Sequence, residues 1–136
     1  MVKYTYYGRA LADLSAAKRL IEMSGATSRS AILDLAAYHL QQATEKSLKH
    51  IIPVCVMEKD IRRFKTHDIP SLIGMVEMST QYRIPLSIKI IAGKLTSWEA
   101  TARYSSDPVA TKDELQAALA AIEPFMFDIQ SGRRNQ

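Results

Sequence analysis

Apolar residues recur along most of this chain at the three- and four-residue spacing of an α-helix, and the pattern breaks at glycine, proline and polar clusters. We therefore predict five helices. The first spans roughly residues 8–24, and Gly25 is placed to end it in a left-handed conformation. Its apolar stripe is predicted to comprise Leu11, Leu14, Ala17 and Ile21.

The second predicted helix begins near Ser28 or Ser30, since both are good N-cap residues. It continues to about Ile52, where Pro53 removes a backbone donor and must bend or stop it. Residues 54–57 are expected to continue as a kinked final turn. Residues 58–66 are charged and unpatterned, so they are predicted to form a connection.

The third predicted helix opens around residues 68–70, because aspartate caps well and proline is tolerated in a first turn. It ends before Pro85, which disfavours helical geometry at the residue preceding it. The fourth helix runs from about Leu86 to Tyr104. Its apolar positions repeat in heptad fashion and comprise Ile88, Ile91, Leu95, Trp98 and Ala102.

A capping box opens the fifth predicted helix, with Thr111 followed three residues later by Glu114. Pro124 should kink this helix, and residues 131–132 should end it. The pattern as a whole predicts an all-α fold, an antiparallel four- or five-helix up-and-down bundle. We expect one domain over residues 1–136, with 131–136 as a flexible tail. The inward face of the last helix is predicted to comprise Leu115, Leu119, Ile122, Met126 and Ile129.

Composition adds few constraints to this picture. The chain is 47% hydrophobic and 24% charged, and its net charge of +4 permits nucleic-acid or phosphate binding without demanding it. Neither a membrane-spanning run nor a signal peptide is expected. Cys55 is a single cysteine, which suits a reducing cytoplasm, and its apolar neighbours predict a buried or interfacial thiol.

Polar residues gather on one broad side of the second predicted helix: His39, Gln42, Lys46, Lys49 and His50. Amide and cationic donors suit an anionic or nucleotide-like ligand, although a solvated helix surface accounts for the same pattern. The two histidines are eleven positions apart, roughly 16 Å at about 1.5 Å per residue, so they cannot ligate one ion. We predict no metal site and no cofactor.

Arg62 and His67 are the candidate catalytic residues. Imidazole can move the proton of a ribose 2′-hydroxyl while guanidinium stabilises charge on the phosphate, without a metal. The alternative is that His67 caps the third helix or bonds a backbone group. A second candidate for ligand contact is the pair Arg103 and Tyr104 at the end of the fourth helix, whereas Trp98 is more suited to the core.

Three blocks in order give this chain a resemblance to a known family. They are Tyr-His-Leu-Gln-Gln-Ala-Thr-Glu-Lys-Ser-Leu-Lys at 38–49, Thr-His-Asp-Ile-Pro-Ser-Leu at 66–72, and Ala-Arg-Tyr at 102–104. Together they resemble the HEPN domain family, from about Leu11 to Ile129.

The resemblance implies an antiparallel bundle that forms a homodimer and works beside a minimal nucleotidyltransferase, as toxin and antitoxin or as substrate-binding and catalytic subunits. Some HEPN proteins are metal-independent ribonucleases with an arginine and a histidine four to six residues apart, a spacing that Arg62 and His67 satisfy. Two features depart from those ribonucleases. Arg63 stands where they commonly have a polar Asn, Asp or His, and their motif generally belongs to a later helix.

The leading hypothesis is a HEPN protein that binds a nucleotide or RNA phosphate together with a nucleotidyltransferase-like partner. Lys46 and Arg103 would hold phosphate, Tyr104 would stack or bond, and His67 would orient the ligand. The remaining candidate binding residues are Gln42, Lys49 and Asp68. The alternatives are a ribonuclease toxin that uses Arg62 and His67, and a non-catalytic helical adaptor. Some apolar residues near helix ends suit either a two-fold dimer interface or the core of the monomer: Val54, Cys55, Val56, Met75 and Met78.

Overall fold

The computed structural model describes residues 5–27, 30–104 and 108–132, and all regular elements within them are α-helices. The all-α prediction is therefore confirmed. Within these described ranges, five helices are long and two are short. In chain order they are α1 (Tyr6–Met23), α2 (Ala31–Ile51), α3 (Val54–Lys59), α4 (Ile61–Phe64), α5 (Ile69–Ser79), α6 (Leu86–Tyr104) and α7 (Lys112–Gly132).

The polar cap residues define helix ends as the sequence predicted. The Ser30 hydroxyl accepts from the Leu33 backbone N–H at 3.3 Å, and the Asp68 carboxylate accepts from Ser71 N–H at 3.3 Å. At α7 the capping box is closed in both directions, because Thr111 N–H donates to the Glu114 carboxylate at 3.0 Å and Glu114 N–H donates to the Thr111 hydroxyl at 3.2 Å. Ser28 lies outside the described residues.

Helix α1 ends at Met23, two residues before a glycine with a positive φ. Gly25 has φ +59°, the left-handed conformation predicted for it. The stripe of α1 is shifted from the prediction, since Ala10 is buried and Leu11 is exposed, while Ala17 and Ile21 are buried as expected.

The segment between α2 and α5 was predicted least well. Pro53 ends α2 and then serves as the N-cap of the separate helix α3, so residues 54–57 are not a kinked final turn of α2. The predicted connection over 58–66 contains the end of α3 and all of α4. Phe64 is buried and fastens this short helix to the core.

Helix α2 lies at the centre of the bundle and packs against α1, α5, α6 and α7. Two contacts show that α1 and α7 are antiparallel. The Tyr7 hydroxyl, at the start of α1, donates to the carbonyl of Met126, whereas Lys18, later in α1, pairs with Glu123, earlier in α7. Helix α5 is tied to α6 where its first backbone N–H, that of Ile69, donates to Thr96 in the middle of α6. Because neighbours surround α2, polar side chains on it are also buried: Gln41, Gln42, Thr44, Glu45, Ser47 and Lys49.

The apolar side chains that suit either an interface or the core are found partly at the surface and partly in the interior. Met75 is buried, as is Trp98, which confirms the core position predicted for the tryptophan. Val54, Cys55 and Met78 are exposed. Of the two positions predicted for the thiol, burial in the single chain is therefore wrong, and an interfacial position stays a prediction. None of the helices in the described residues has the length and apolar character needed to cross a membrane.

Candidate functional site

Glu45, in the middle of α2, carries a buried carboxylate with only 6% of its side chain exposed. Its Oε1 accepts from Nε2 of Gln41 at 3.1 Å and from Nδ1 of His67 at 2.8 Å, and its Oε2 accepts from Nζ of Lys49 at 3.2 Å. Nε2 of Gln42 extends the network by donating to Oε1 of Gln41 at 2.7 Å. A buried carboxylate requires such donors, because without them it would forfeit the hydrogen bonds that water supplied.

His67 occupies the turn between α4 and α5, and the local sequence fixes it there. Asp68 begins α5 as its N-cap, and its backbone N–H donates to the Thr66 hydroxyl at 3.1 Å. Nε2 of Gln41 also reaches the carbonyl of His67, at 3.5 Å. The imidazole is 46% exposed, so one edge contacts the buried Glu45 carboxylate while the rest of the ring meets solvent.

Lys49 brings a second buried charge to this cluster, with 9% of its side chain exposed. Besides its bond to Glu45, the ammonium lies 5.4 Å from the centre of the Phe64 ring, within range of a cation–π interaction. Gln41, Glu45 and Lys49 are spaced four residues apart, so they stack on successive turns of α2. The spacing therefore compensates the two charges within one helix.

Four basic side chains precede His67 on α3, α4 and the residue after α4: Lys59, Arg62, Arg63 and Lys65. We call them the basic segment. All four are exposed, and no ion pair links any of them to another of the described residues. Residues 59–65 carry these four cations and one carboxylate, Asp60, so this segment has a net positive charge that attracts a polyanion.

A second carboxylate cluster lies on the α1 side of α2. The Asp13 carboxylate accepts from Nδ1 of His39 at 2.8 Å and from Nζ of Lys46 at 2.5 Å. Glu45 and Lys46 are successive residues, about 100° apart around the helix. The predicted lysines therefore turn to different neighbours, Lys46 to Asp13 and Lys49 to Glu45, and each positive charge is offset by a carboxylate.

The remaining candidate residues are placed as follows. Gln42 is buried beside Gln41, Asp68 caps α5, and Arg62 is exposed on α4. Arg103 and Tyr104 are at the end of α6, and their side chains lie outside the described residues. The structure thus brings His67, Lys49 and Gln42 into one network and places Lys46 in another.

Sequence reasoning did not single out Glu45, Gln41 or Asp13. For Glu45 a signal was present, because a carboxylate with an amide four residues before it and a lysine four residues after it forms a helical pair on both sides. Asp13 gave no such signal, since its partners are on α2 and only the packing of α1 against α2 brings them together.

Two surface cavities lie away from the Glu45 network, one of about 310 Å³ at the junction of α2 and α3 and one of about 350 Å³ between α6 and α7. Tyr82 lines the first, and burial, reinforced by its hydrogen bond to Asp128, raises the pKa of its hydroxyl. The tyrosine hydroxyl therefore remains protonated across the physiological range.

Comparison with protein-family models matches residues 5–130 to the HEPN domain. No curated protein and no solved structure matches the chain. In the described parts of the chain, no three His, Cys, Asp or Glu side chains form a group that could hold a metal ion. The family match covers nearly the whole chain, including the Glu45 network and the basic segment, and so the chain belongs to the HEPN domain family.

Proposed function

We propose that this HEPN protein binds RNA through phosphate contacts beside His67 and cleaves it without a metal ion, with His67 as the acid–base residue. One observation carries the proposal. A half-exposed imidazole is held at 2.8 Å by the buried Glu45 carboxylate, directly after the four exposed cations of the basic segment.

The hydrogen bond to Glu45 prepares His67 for proton transfer. An ionised carboxylate only accepts, so Nδ1 donates, and in the neutral ring the lone pair is then on Nε2. At a phosphodiester, Nε2 takes the proton of the ribose 2′-hydroxyl, the 2′-oxygen bonds to phosphorus, and the bond from phosphorus to the 5′-oxygen breaks. The products are a 2′,3′-cyclic phosphate and a 5′-hydroxyl that takes its proton from solvent, while Arg62 offsets charge on the phosphate.

The test is cleavage of a fluorescently labelled RNA by purified protein in excess chelator. General acid–base catalysis typically contributes about 10²- to 10⁴-fold, so His67→Gln should slow cleavage at least about a hundredfold. His39→Gln is the matched control, because the Nδ1 of His39 also bonds a carboxylate at 2.8 Å, on the other side of α2. A wild-type rate in His67→Gln, or an equal loss in His39→Gln, would count against the proposal.

A further part of the proposal is that the protein acts with a nucleotidyltransferase-like partner in a toxin–antitoxin-type pair. Exposed apolar side chains support a partner surface, since Leu86 and Ile90 lie one turn apart on α6 with 71% and 72% exposed. Replacing both by serine should abolish co-purification with such a partner and leave the helical content unchanged. A homodimer is the other occupant that the family resemblance implies, and light scattering of the chain alone distinguishes the two.

The wider nucleotide site predicted from the sequence remains a proposal about Lys46, Arg103 and Tyr104. If Lys46 and Arg103 hold phosphate, alanine at both positions should remove the rise in unfolding temperature that a nucleotide produces. An unchanged rise would confine ligand binding to the surface around His67.

A further inference from the structure

Tyr6 presents an exposed aromatic ring at the start of α1, beside the basic segment. Its ring packs edge to face on Phe64, with the centroids 5.7 Å apart and the planes at 74°. Phe64 is buried, whereas Tyr6 is 41% exposed. The edge-to-face contact restrains the tyrosine ring against a rigid support and leaves part of it open to solvent.

An unbroken series of contacts connects Tyr6 to His67. Phe64, which supports Tyr6, lies 5.4 Å from the ammonium of Lys49, and Lys49 bonds the same Glu45 carboxylate that holds His67. The exposed ring and the imidazole are therefore linked through the buried side chains of Phe64, Lys49 and Glu45. Tyr6 is brought there by tertiary packing, since it is some sixty residues from His67 in sequence.

Phe64, on which Tyr6 packs, has a cation on each side in the chain, Arg63 before it and Lys65 after it. The Arg63 guanidinium lies beside Gly74 of α5. A Cβ placed on Gly74 would lie 3.4 Å from Nη2 of Arg63, so the guanidinium rests where a larger residue at 74 would have its side chain. Proteins hold a single nucleic-acid strand by combining an exposed aromatic ring, on which a base stacks, with cations that contact the phosphates. Here the ring of Tyr6 packs on the residue that stands between two cations in the chain.

We propose that Tyr6 forms a base-stacking subsite, in which an unpaired base of RNA lies on the exposed part of the ring while Arg63 and Lys65 hold the adjoining phosphates. The inference rests on the proposed function, because it extends the RNA surface around His67 onto α1. A base within a duplex is covered by its neighbours, so Tyr6 discriminates in favour of unpaired RNA.

Fluorescence anisotropy with a labelled oligouridine and with a labelled blunt RNA duplex tests the subsite. All variants carry His67→Gln so that RNA is not cut. Stacking of one base contributes about 1–3 kcal/mol, so Tyr6→Leu should raise the oligouridine Kd about 5- to 150-fold and leave the duplex Kd within twofold. Tyr6→Phe keeps the ring and should bind oligouridine with the same Kd as the parent protein, which carries His67→Gln alone. Tyr38→Leu is the control, because Tyr38 also packs edge to face, against His39 at 5.6 Å.

The outcomes separate the two proposals. If RNA is cleaved in a His67-dependent way but Tyr6→Leu binds oligouridine as the parent does, the subsite is wrong and the proposed function stands. An equal loss of affinity in Tyr38→Leu, or for the duplex, also overturns the subsite. If the parent binds no RNA, both proposals fail. Should Tyr6→Leu lose its helical circular dichroism, Tyr6→Met keeps a flexible apolar contact with Phe64 without a ring and takes its place.

Discussion

Glu45→Gln is the substitution whose effect on stability follows most directly from the structure. It keeps the volume of the side chain and removes its charge. The carboxylate that is lost accepts from three donors, and one of them, the Lys49 ammonium, is nearly as buried as Glu45 itself. Glutamine can still accept one or two of these bonds, but it leaves a positive charge in the interior without a counter-charge.

The expected magnitude comes from that uncompensated charge. Removing one partner of a buried ion pair typically costs about 3–5 kcal/mol, whereas replacing both partners by apolar residues is often neutral. We therefore expect Glu45→Gln to lower the free energy of unfolding by about 3–5 kcal/mol. The double variant with Lys49→Met should recover most of the loss, because the charge that could not be compensated is gone.

Urea unfolding followed by circular dichroism at 222 nm measures both free energies. Glu123→Gln is the matched control, since Glu123 pairs with Lys18 at a comparable 3.0 Å but both side chains are over 40% exposed. An exposed pair contributes about 0–1 kcal/mol, so the control should change little. If Glu45→Gln costs no more than Glu123→Gln, or if Lys49→Met fails to restore stability, the buried ion pair does not carry the energy assigned to it.

Two further predictions concern a pair of glycines and the capping box of α7. Gly25→Ala should lower the free energy of unfolding by about 1–2 kcal/mol, because the φ of Gly25 is +59°. Gly93 is at an exposed interior position of α6 with open space around it, so Gly93→Ala should raise the free energy of unfolding by up to about 1 kcal/mol. The urea unfolding midpoints of the two variants should therefore shift in opposite directions. Glu114→Gln tests the pH dependence of stability. The hydrogen bond from the Thr111 backbone N–H, and then that from Lys94, lowers the pKa of the Glu114 carboxyl in the folded protein. The stability that the ionised carboxylate contributes is therefore present above the ordinary carboxyl pKa and is lost as pH falls through the lower folded pKa. The variant should be less stable than the wild type by under about 1 kcal/mol at neutral pH, and the difference should vanish in acid; a difference that persists at low pH would show that the charge is not its source.

The long helices could be predicted because several local signals agree at their ends. Ser30, Asp68 and the Thr111–Glu114 box each combine a capping side chain with an apolar repeat that starts directly afterwards, and the structure confirms all three. Residues 54–66 lacked such agreement. Helices of six and four residues are too short to show a period, and α4 is held by the burial of the single side chain of Phe64.

The polar side of α2 was predicted from the type of residue, and residue type does not report how many neighbours a helix has. Gln42 and Lys49 suit a solvated surface, yet both are buried, since α2 has helices on most of its circumference. A polar side chain can occupy such a buried position only if other protein groups there form hydrogen bonds or ion pairs with it. On α2, Glu45 accepts hydrogen bonds from Gln41 and Lys49, so the buried polar residues satisfy one another within the helix. The four-residue spacing of these three residues was the signal of this arrangement in the sequence.

The same burial explains why chemistry would concentrate at His67. Within the network around Glu45, the lysine and both glutamines are enclosed and committed to one another, so they can position a reacting group but cannot meet a phosphodiester. His67 is the member that reaches the surface, because the turn between α4 and α5 carries it past the edge of the core. A carboxylate that stabilises the interior at its Lys49 side thus orients an imidazole at its surface side. Under the proposed function, Glu45 serves both stability and activity. A variant that retains the fold by replacing Glu45 and Lys49 with apolar residues should lose the orientation of His67 and, with it, cleavage.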